Sequence, residues 1–255
     1  MNPTYDFSGQ VAFVTGGASG MGLATARAFA NAGAAVALVD ANGTALAEAE
    51  AALKAGGART LAVQCDVADE DQVREAVDAT IRTLGGLDLA FNNAGIQTDA
   101  AELADVPLAD YDRILGINLR GVYACMKYEL GHMRERGAGA IVNCSSLGGF
   151  VGVPGRAAYH AAKHGIHGIT KSAGLEYAAR GIRVNAVAPG IMDTPMVASM
   201  KQAEAGVIEE MMRDVPIKRL GQAEEVAAAV LWLASPAASF VVGHILAVDG
   251  GYVAR

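Results

Sequence analysis

Cysteine is scarce in this chain: three occur in 255 residues, and Cys65, Cys125 and Cys144 have neither an even count nor the paired spacing of a metal site. That excludes a disulfide framework and leaves small buried residues in a reducing compartment. A nucleophilic Cys144 would want a neighbouring base, and its place on an apolar run assigns it to packing. Positive charge is also short. Lys and Arg number 20 against 27 Asp and Glu, a net charge of -7, which argues against nucleic acid or an anionic membrane surface as partner. No apolar run reaches the roughly 18 residues of a membrane span. No amino-terminal signal pattern is present either, so the expectation is a soluble, cytoplasmic protein with no membrane partner. Also missing is any linker rich in Pro, Gly or Ser, and any charge block. Residues 1–255 are therefore expected to form one domain.

What is present is alternation. Hydrophobic residues make up 52% of the chain, enough for a buried core, and frequent Ala and Gly suit close packing of helices on a sheet. After a short arm over residues 1–10, apolar runs predict strands at 11–15, 35–39, 60–64, 87–91, 140–144, 182–188 and 243–249. Helical patterns fall between them at 20–32, 43–55, 69–84, 110–136, 157–180 and 222–235, with Asp69 placed to cap the third and Gly56-Gly57 to end the second. The pattern is α/β. It predicts a doubly wound, mostly parallel sheet of seven strands with its ligand crevice at the strands' carboxyl ends.

The first strand runs into Thr15-Gly16-Gly17-Ala18-Ser19-Gly20-Met21-Gly22 and then a helix. Glycines let the backbone turn tightly and approach a phosphate, and a helix amino terminus offers unpaired N–H groups to an anion. Asp40 closes the second strand about 20 residues on, where an acidic side chain suits a ribose hydroxyl and repels a 2′-phosphate. The expected cofactor is NAD, with NADP disfavoured, in a Rossmann-like domain.

Residues 143–163 carry the chemistry. Asn143 to Ser146 ends a strand, Gly148 to Gly155 breaks the pattern, and an Ala-rich helix begins near Ala157. Tyr159 and Lys163 are four apart on that helix and so share a face. A free phenol has a pKa of about 10, and a cation beside it favours the phenolate, moving it toward the range of an acid/base catalyst. Ser146, thirteen residues before Tyr159, is placed to polarise a carbonyl oxygen or hold an alcohol.

Thr15-Gly16-x-x-x-Gly20-x-Gly22, Asp66-Val67, Asn92-Asn93-Ala94-Gly95, Asn118, Ser146, Tyr159-x-x-x-Lys163 and Pro189-Gly190-x-x-x-Thr194 follow one another in order. Over nearly its whole length the chain resembles the short-chain dehydrogenase/reductase family, in its form with a Tyr-x-x-x-Lys active site. The resemblance implies catalytic roles for Asn118, Ser146, Tyr159 and Lys163. It implies cofactor contacts from Gly16, Ser19, Gly20, Met21, Gly22, Asp40, Asp66, Val67, Asn92, Ala94, Gly95, Tyr159, Lys163, Pro189, Gly190, Ile191 and Thr194. Asn92 is expected near the ribose while its motif braces the sheet, and Asn118 helps hold a water that links Lys163 to solvent. The resemblance also implies a homotetramer, or a dimer. The family commonly has serine where this chain has Ala162, a departure that removes no catalytic group.

The implied reaction is hydride transfer between NAD(H) and a secondary alcohol or ketone, Tyr159 acting as acid/base and Lys163 both lowering its pKa and binding the ribose. A catalytically silent dinucleotide-binding regulator or scaffold is the alternative. Residues 191–215 are the expected substrate lid. Met192, Met196, Met200, Met211 and Met212 fall in it, forming either an apolar cover or a core stripe. With Phe150, Val151 and Val153 they favour an apolar or alicyclic substrate. His160, His164 and His167 have the i, i+4, i+7 spacing of a metal site, but no carboxylate or cysteine matches them, so an interface or surface role is expected and no metal.

Overall fold

Every residue of the first apolar run is buried, as a strand covered on both faces requires. The computed structural model describes residues 4–203, 206 and 212–254. Val11–Thr15 forms β1, and its side chains alternate between two apolar layers: Ala12 and Val14 enter one, Val11 and Phe13 the other. The remaining strands are β2 (Ala35–Asp40), β3 (Thr60–Gln64), β4 (Leu89–Asn92), β5 (Gly139–Cys144), β6 (Ile182–Pro189) and β7 (Ile245–Val248). They stand in the order β3-β2-β1-β4-β5-β6-β7. Each pairing is parallel, so the sheet is wholly rather than mostly parallel among the described residues.

Helices cover both faces. On one side α1 (Gly20–Asn31) and α2 (Gly43–Ala55) bury Phe29, Leu46 and Leu53. On the other, α3 (Glu70–Leu84) buries Val73 and Val77. Full burial of side chains of this size contributes about 1.5–3 kcal/mol each. Asp69 caps α3 as expected, its Oδ1 accepting from the N–H of Asp71 at 2.9 Å and of Gln72 at 3.2 Å.

The single helix expected over 110–136 is instead three pieces. α4 (Leu108–Leu115) passes into a π turn, Gly116–Gly121, before α5 (Val122–Arg136). The cause is tertiary. Asn118 turns inward and exchanges two 2.8 Å hydrogen bonds with the N–H and carbonyl of Ile96, while Gly121 packs so tightly on Val67 that an added Cβ would lie 2.8 Å from its Cγ2. A one-residue bulge accommodates both contacts without ending the helix.

Beyond it, α6 (Ala157–Tyr177) ends three residues before the expected Arg180, in a 3₁₀ turn closed by Gly181 at φ +76°. α7 (Pro195–Ala203) and α8 (Ala223–Ala234) complete the described helices. α5 and α6 add Met126, Met133 and Ile166 to the α3 side, and α8 adds Val226 and Val230 to the α1 side. No helix among the described residues is long and apolar enough to cross a membrane. Chain order reverses between β1 and β4, and there the strands' carboxyl ends diverge to leave a crevice.

Candidate active site

The crevice begins where β1 ends. Gly16 and Gly20 hold φ of +63° and +50°, a left-handed backbone that glycine adopts without strain. A Cβ on Gly16 would lie 2.7 Å from Asn93 Nδ2 and 3.2 Å from Ala94 Cα, so side-chain-free backbone is needed for the loop to seat on the end of β4. Thr15 Oγ1 locks that seat by accepting from the N–H groups of Asn93 (2.9 Å) and Ala94 (3.1 Å). Ser19 occupies the N-cap of α1 but its side chain makes no capping bond, which leaves the first-turn N–H groups for an anion. Across the loop, Asp40 accepts from the N–H of Ala18 (3.1 Å) and of Asn42 (3.0 Å), so its carboxylate is held at the end of β2.

These residues line a groove of about 300 Å³. Gly16, Ser19, Gly20 and Met21 form one wall, Asp40, Asp66 and Val67 the far end, and Ala94, Gly95 and Thr194 the wall toward β5. No Lys or Arg lines it among the described residues.

The groove opens into a smaller cavity of about 130 Å³, with Met21, Asn93, Gly95, Thr194 and Met196 common to both. Here the structure brings together Ser146, Tyr159, Lys163, Pro189, Gly190 and Ile191. Ser146 follows β5 and its Oγ accepts the Gly148 N–H at 3.1 Å. Tyr159 lies in the first turn of α6, half-buried. Lys163, one turn later, is only 4% exposed. A buried ammonium must be partnered: its Nζ donates to the Cys144 carbonyl at 2.8 Å and lies 5.5 Å from the Tyr159 ring centroid. Gly95 fits between two polar groups, since a Cβ there would lie 3.3 Å from Asn118 Oδ1 and 3.7 Å from Lys163 Nζ.

Three of the expected site residues stand apart from both hollows. Asn92 is 1% exposed and its side chain points into the core, donating to Glu129 Oε2 at 3.0 Å and Asn143 Oδ1 at 3.1 Å, so it braces β4 against β5 and α5 as its motif was expected to do. The neighbouring Asn93 lines groove and cavity instead. Successive strand residues face opposite ways, and that parity is the signal that separates the two. Gly22 lies beneath the loop, where an added Cβ would strike the Gly16 carbonyl oxygen; it is a packing glycine. Asn118 is wholly buried, with its side chain spent on Ile96, and stands behind Gly95.

Glu129, unremarked in the sequence, is fully buried. Burial pushes its carboxyl up to about 8, against a smaller lowering by the Asn92 hydrogen bond.

Of the three histidines only His164 is exposed, so the surface alternative fits it and not the buried His167. His160 Nδ1 accepts the Val153 N–H at 3.0 Å. His167 is 9% exposed and meets the Phe150 ring edge-on at 4.6 Å; burial, with His164 and Lys171 nearby, lowers it to about 4. His160 and His167 therefore shape the loop after Ser146, and a surface role fits His164 alone. Cys65, Cys125 and Cys144 are buried and unpaired as expected, and Ala162 is buried away from both hollows. Of the lid methionines, Met192 is core, Met196 rims both hollows and Met212 packs beside Leu147 and Val215. Met211 and the side chain of Met200 lie outside the described residues. Gln97 and Arg156 also line the cavity, and motif spacing did not point to them; His160, noted for its spacing with His164 and His167, lines it too.

Residues 16–253 match a protein-family model described as Enoyl-(Acyl carrier protein) reductase. The chain belongs to the short-chain dehydrogenase/reductase family. It is 49% identical over 249 residues to the cis-4-hydroxycyclohexanecarboxylate dehydrogenase of Sinomonas cyclohexanicum, covering 97% of this chain and 98% of that one. With the 2,5-dichloro-2,5-cyclohexadiene-1,4-diol dehydrogenase of Sphingobium indicum it shares 43% over 250 residues, 98% of this chain and 99% of the other. The crystal structure of levodione reductase superposes with a TM-score of 0.94 at 41% identity, covering 98% of this chain and 99% of that one. As a member of this dehydrogenase/reductase family the chain is an oxidoreductase with a nicotinamide dinucleotide fold.

Proposed function

We propose that this protein interconverts a secondary alcohol and a ketone by hydride transfer with NAD(H), and that its substrate is alicyclic. The observation that carries the reading is the convergence of Ser146, Tyr159 and Lys163 on one small cavity that opens into the dinucleotide groove.

The groove suits the cofactor on its own evidence: a glycine cradle that a Cβ would fill, an uncapped helix start for the pyrophosphate, and a carboxylate at the end of β2. Gly16, Ser19, Gly20 and Met21 would hold the pyrophosphate half, Asp40 the adenosine ribose, Asp66 and Val67 the adenine, and Pro189, Gly190, Ile191 and Thr194 the nicotinamide end. Asp40, with no cation beside it among the described residues, favours NAD over NADP. When bound, the nicotinamide supplies the hydride acceptor for oxidation and the donor for reduction.

Ser146 Oγ and the Tyr159 hydroxyl hold the substrate oxygen. In oxidation Tyr159 takes the hydroxyl proton, and in reduction it returns one. Lys163 sets its positive charge beside the phenol, where it stabilises negative charge developing on the oxygen, and it would also hold the nicotinamide ribose. Asn118 fixes the Gly95–Ile96 turn against Lys163 and so supports the path by which the proton leaves. Leu147, Val153, Ile191, Met192 and Val197 give the cavity apolar walls, in keeping with a ring substrate, and two relatives carry cyclohexane and cyclohexadiene rings in the names of their substrates. A homotetramer belongs to the same reading; fully exposed Phe240 near the carboxyl-terminal strand is a fitting contact.

The test is cofactor reduction by purified protein with a panel of cyclic secondary alcohols and either NAD or NADP. Turnover with NAD supports the reading. Tight NAD binding with no turnover of any alcohol or matching ketone would instead indicate a silent dinucleotide-binding protein.

A further inference from the structure

Arg156 stands three residues before Tyr159, at the N-cap position of α6, and lines the same cavity as Ser146 and Tyr159. Its Nη1 donates to Gln97 Oε1 at 2.6 Å and to the Thr98 carbonyl at 2.5 Å, which fixes the guanidinium against the 97–98 segment. Both bonds use Nη1, and Arg156 has no other hydrogen-bond or ion-pair partner among the described residues. The donors on Nη2 and Nε therefore have no protein acceptor among the described residues and are free to bind a ligand.

Two more donors share the cavity. His160 accepts the Val153 N–H through Nδ1, so its proton sits on Nε2 in the neutral ring. Gln97, whose oxygen already serves Arg156, has its amide N–H₂ to offer. No Asp or Glu lines the cavity among the described residues. The other cation there, Lys163, is engaged by the Cys144 carbonyl. The positive charge of Arg156 is thus uncompensated, and the α6 amino terminus, which has no side-chain cap, adds a dipole of the same sign.

Taking the proposed alcohol–ketone reaction as its basis, we infer that Arg156, aided by Gln97 and His160, binds a carboxylate on the substrate, set across an alicyclic ring from the reacting carbinol. Arg156, the apolar walls and Ser146–Tyr159 line one cavity, whose volume of about 130 Å³ leaves room for one ring with a small planar anion. A guanidinium fork matches that anion in shape as well as charge. Arg156 is on this account a specificity-determining residue that takes no part in proton transfer.

The experiment compares kcat/KM with NAD for 4-hydroxycyclohexanecarboxylate, its methyl ester and cyclohexanol. The acid is expected to exceed the ester by about 10- to 100-fold, the range of one charge-assisted contact. In Arg156→Gln the acid-to-ester ratio falls to near one, with the change in KM, and Arg156→Lys recovers part of it. Calorimetry supplies a readout apart from turnover: cyclohexanecarboxylate, which has no hydroxyl to oxidise, binds the NAD-loaded wild type and fails to bind the Gln variant. Because Arg156 also anchors the 97–98 segment, equal thermal midpoints and equal NAD affinity are required of the variants, and the Lys variant decides the matter if the Gln variant is unstable. Equal use of acid and ester by the wild type, or an acid preference that survives in Arg156→Gln, overturns the inference while cyclohexanol oxidation leaves the reaction assignment standing. If none of the three alcohols reacts although NAD binds, the reaction assignment falls and the inference with it.

Discussion

Lys163 Nζ donates a 2.8 Å hydrogen bond to the carbonyl oxygen of Cys144, the last residue of β5. Through it the helix that carries Tyr159 is pinned to the strand end that leads into Ser146, so a buried cation helps set the spacing of the two groups proposed to face the substrate oxygen. Ser145 adds a parallel tie, its Oγ donating to the Lys163 carbonyl at 3.1 Å. Lys163→Met is therefore expected to lower kcat at least about 100-fold, by loss of charge and of register together. It should also weaken NAD binding in a fluorescence titration. Unchanged NAD affinity would remove the ribose from the role given to Lys163.

On the proposed reading, Asp40 sets cofactor choice by charge. Replacing it with serine removes the repulsion a 2′-phosphate would meet at the end of β2, and the NADP-to-NAD ratio of kcat/KM should rise by about 10-fold or more. A ratio that does not move would place the discrimination elsewhere in the groove.

Glu129 gives a pH signature of folding. Its carboxyl rises from the usual 4.5 to about 8 through burial. The folded state therefore holds its proton more tightly than the unfolded chain, and the associated stability is complete below about 4.5 and is lost as pH climbs toward 8. Glu129→Gln carries no charge to bury. Its thermal midpoint relative to wild type should improve steadily from pH 5 to pH 8 and then level off, in step with the raised carboxyl. A difference independent of pH would mean that Glu129 is ionised in the folded protein.

Arg183 illustrates stability built outside the site. Its guanidinium donates to the carbonyls of Leu233 (2.5 Å), Ala234 (3.0 Å), Ser235 (3.1 Å) and Ala238 (3.1 Å), closing the carboxyl end of α8 over β6. Arg183→Leu should destabilise the fold by about 2 kcal/mol in denaturant titration, and lysine should not restore it because one ammonium cannot serve four carbonyls. A loss too small to measure would show that solvent satisfies this helix end unaided.

Much of this was legible in the residues. Strands such as Val11–Thr15 and Ile182–Pro189 are short apolar runs between turn signals, and the pairing of Tyr159 with Lys163 follows from helical spacing alone. What escaped depended on contacts distant in sequence. The π turn at Gly116–Gly121 exists because Asn118 reaches Ile96, 22 residues away, and no local pattern records that. Asn92 and Asn93 are the same residue type side by side, and which faces the groove was settled by where β4 ends. An interface or surface role is what spacing suggests for His160 and His167, because helical periodicity cannot see the loop of Gly148 and Gly149 folded onto them.

The most direct measurement is hydride transfer by Tyr159→Phe, followed by nicotinamide absorbance with an alcohol that the wild type oxidises, alongside NAD affinity and thermal midpoint. The account predicts turnover reduced by at least about 1,000-fold, with fold and NAD binding retained, because only the proton-carrying hydroxyl has gone. Near-normal turnover in that variant would contradict the assignment of Tyr159 as the acid/base and, with it, the reading of this cavity as the active site.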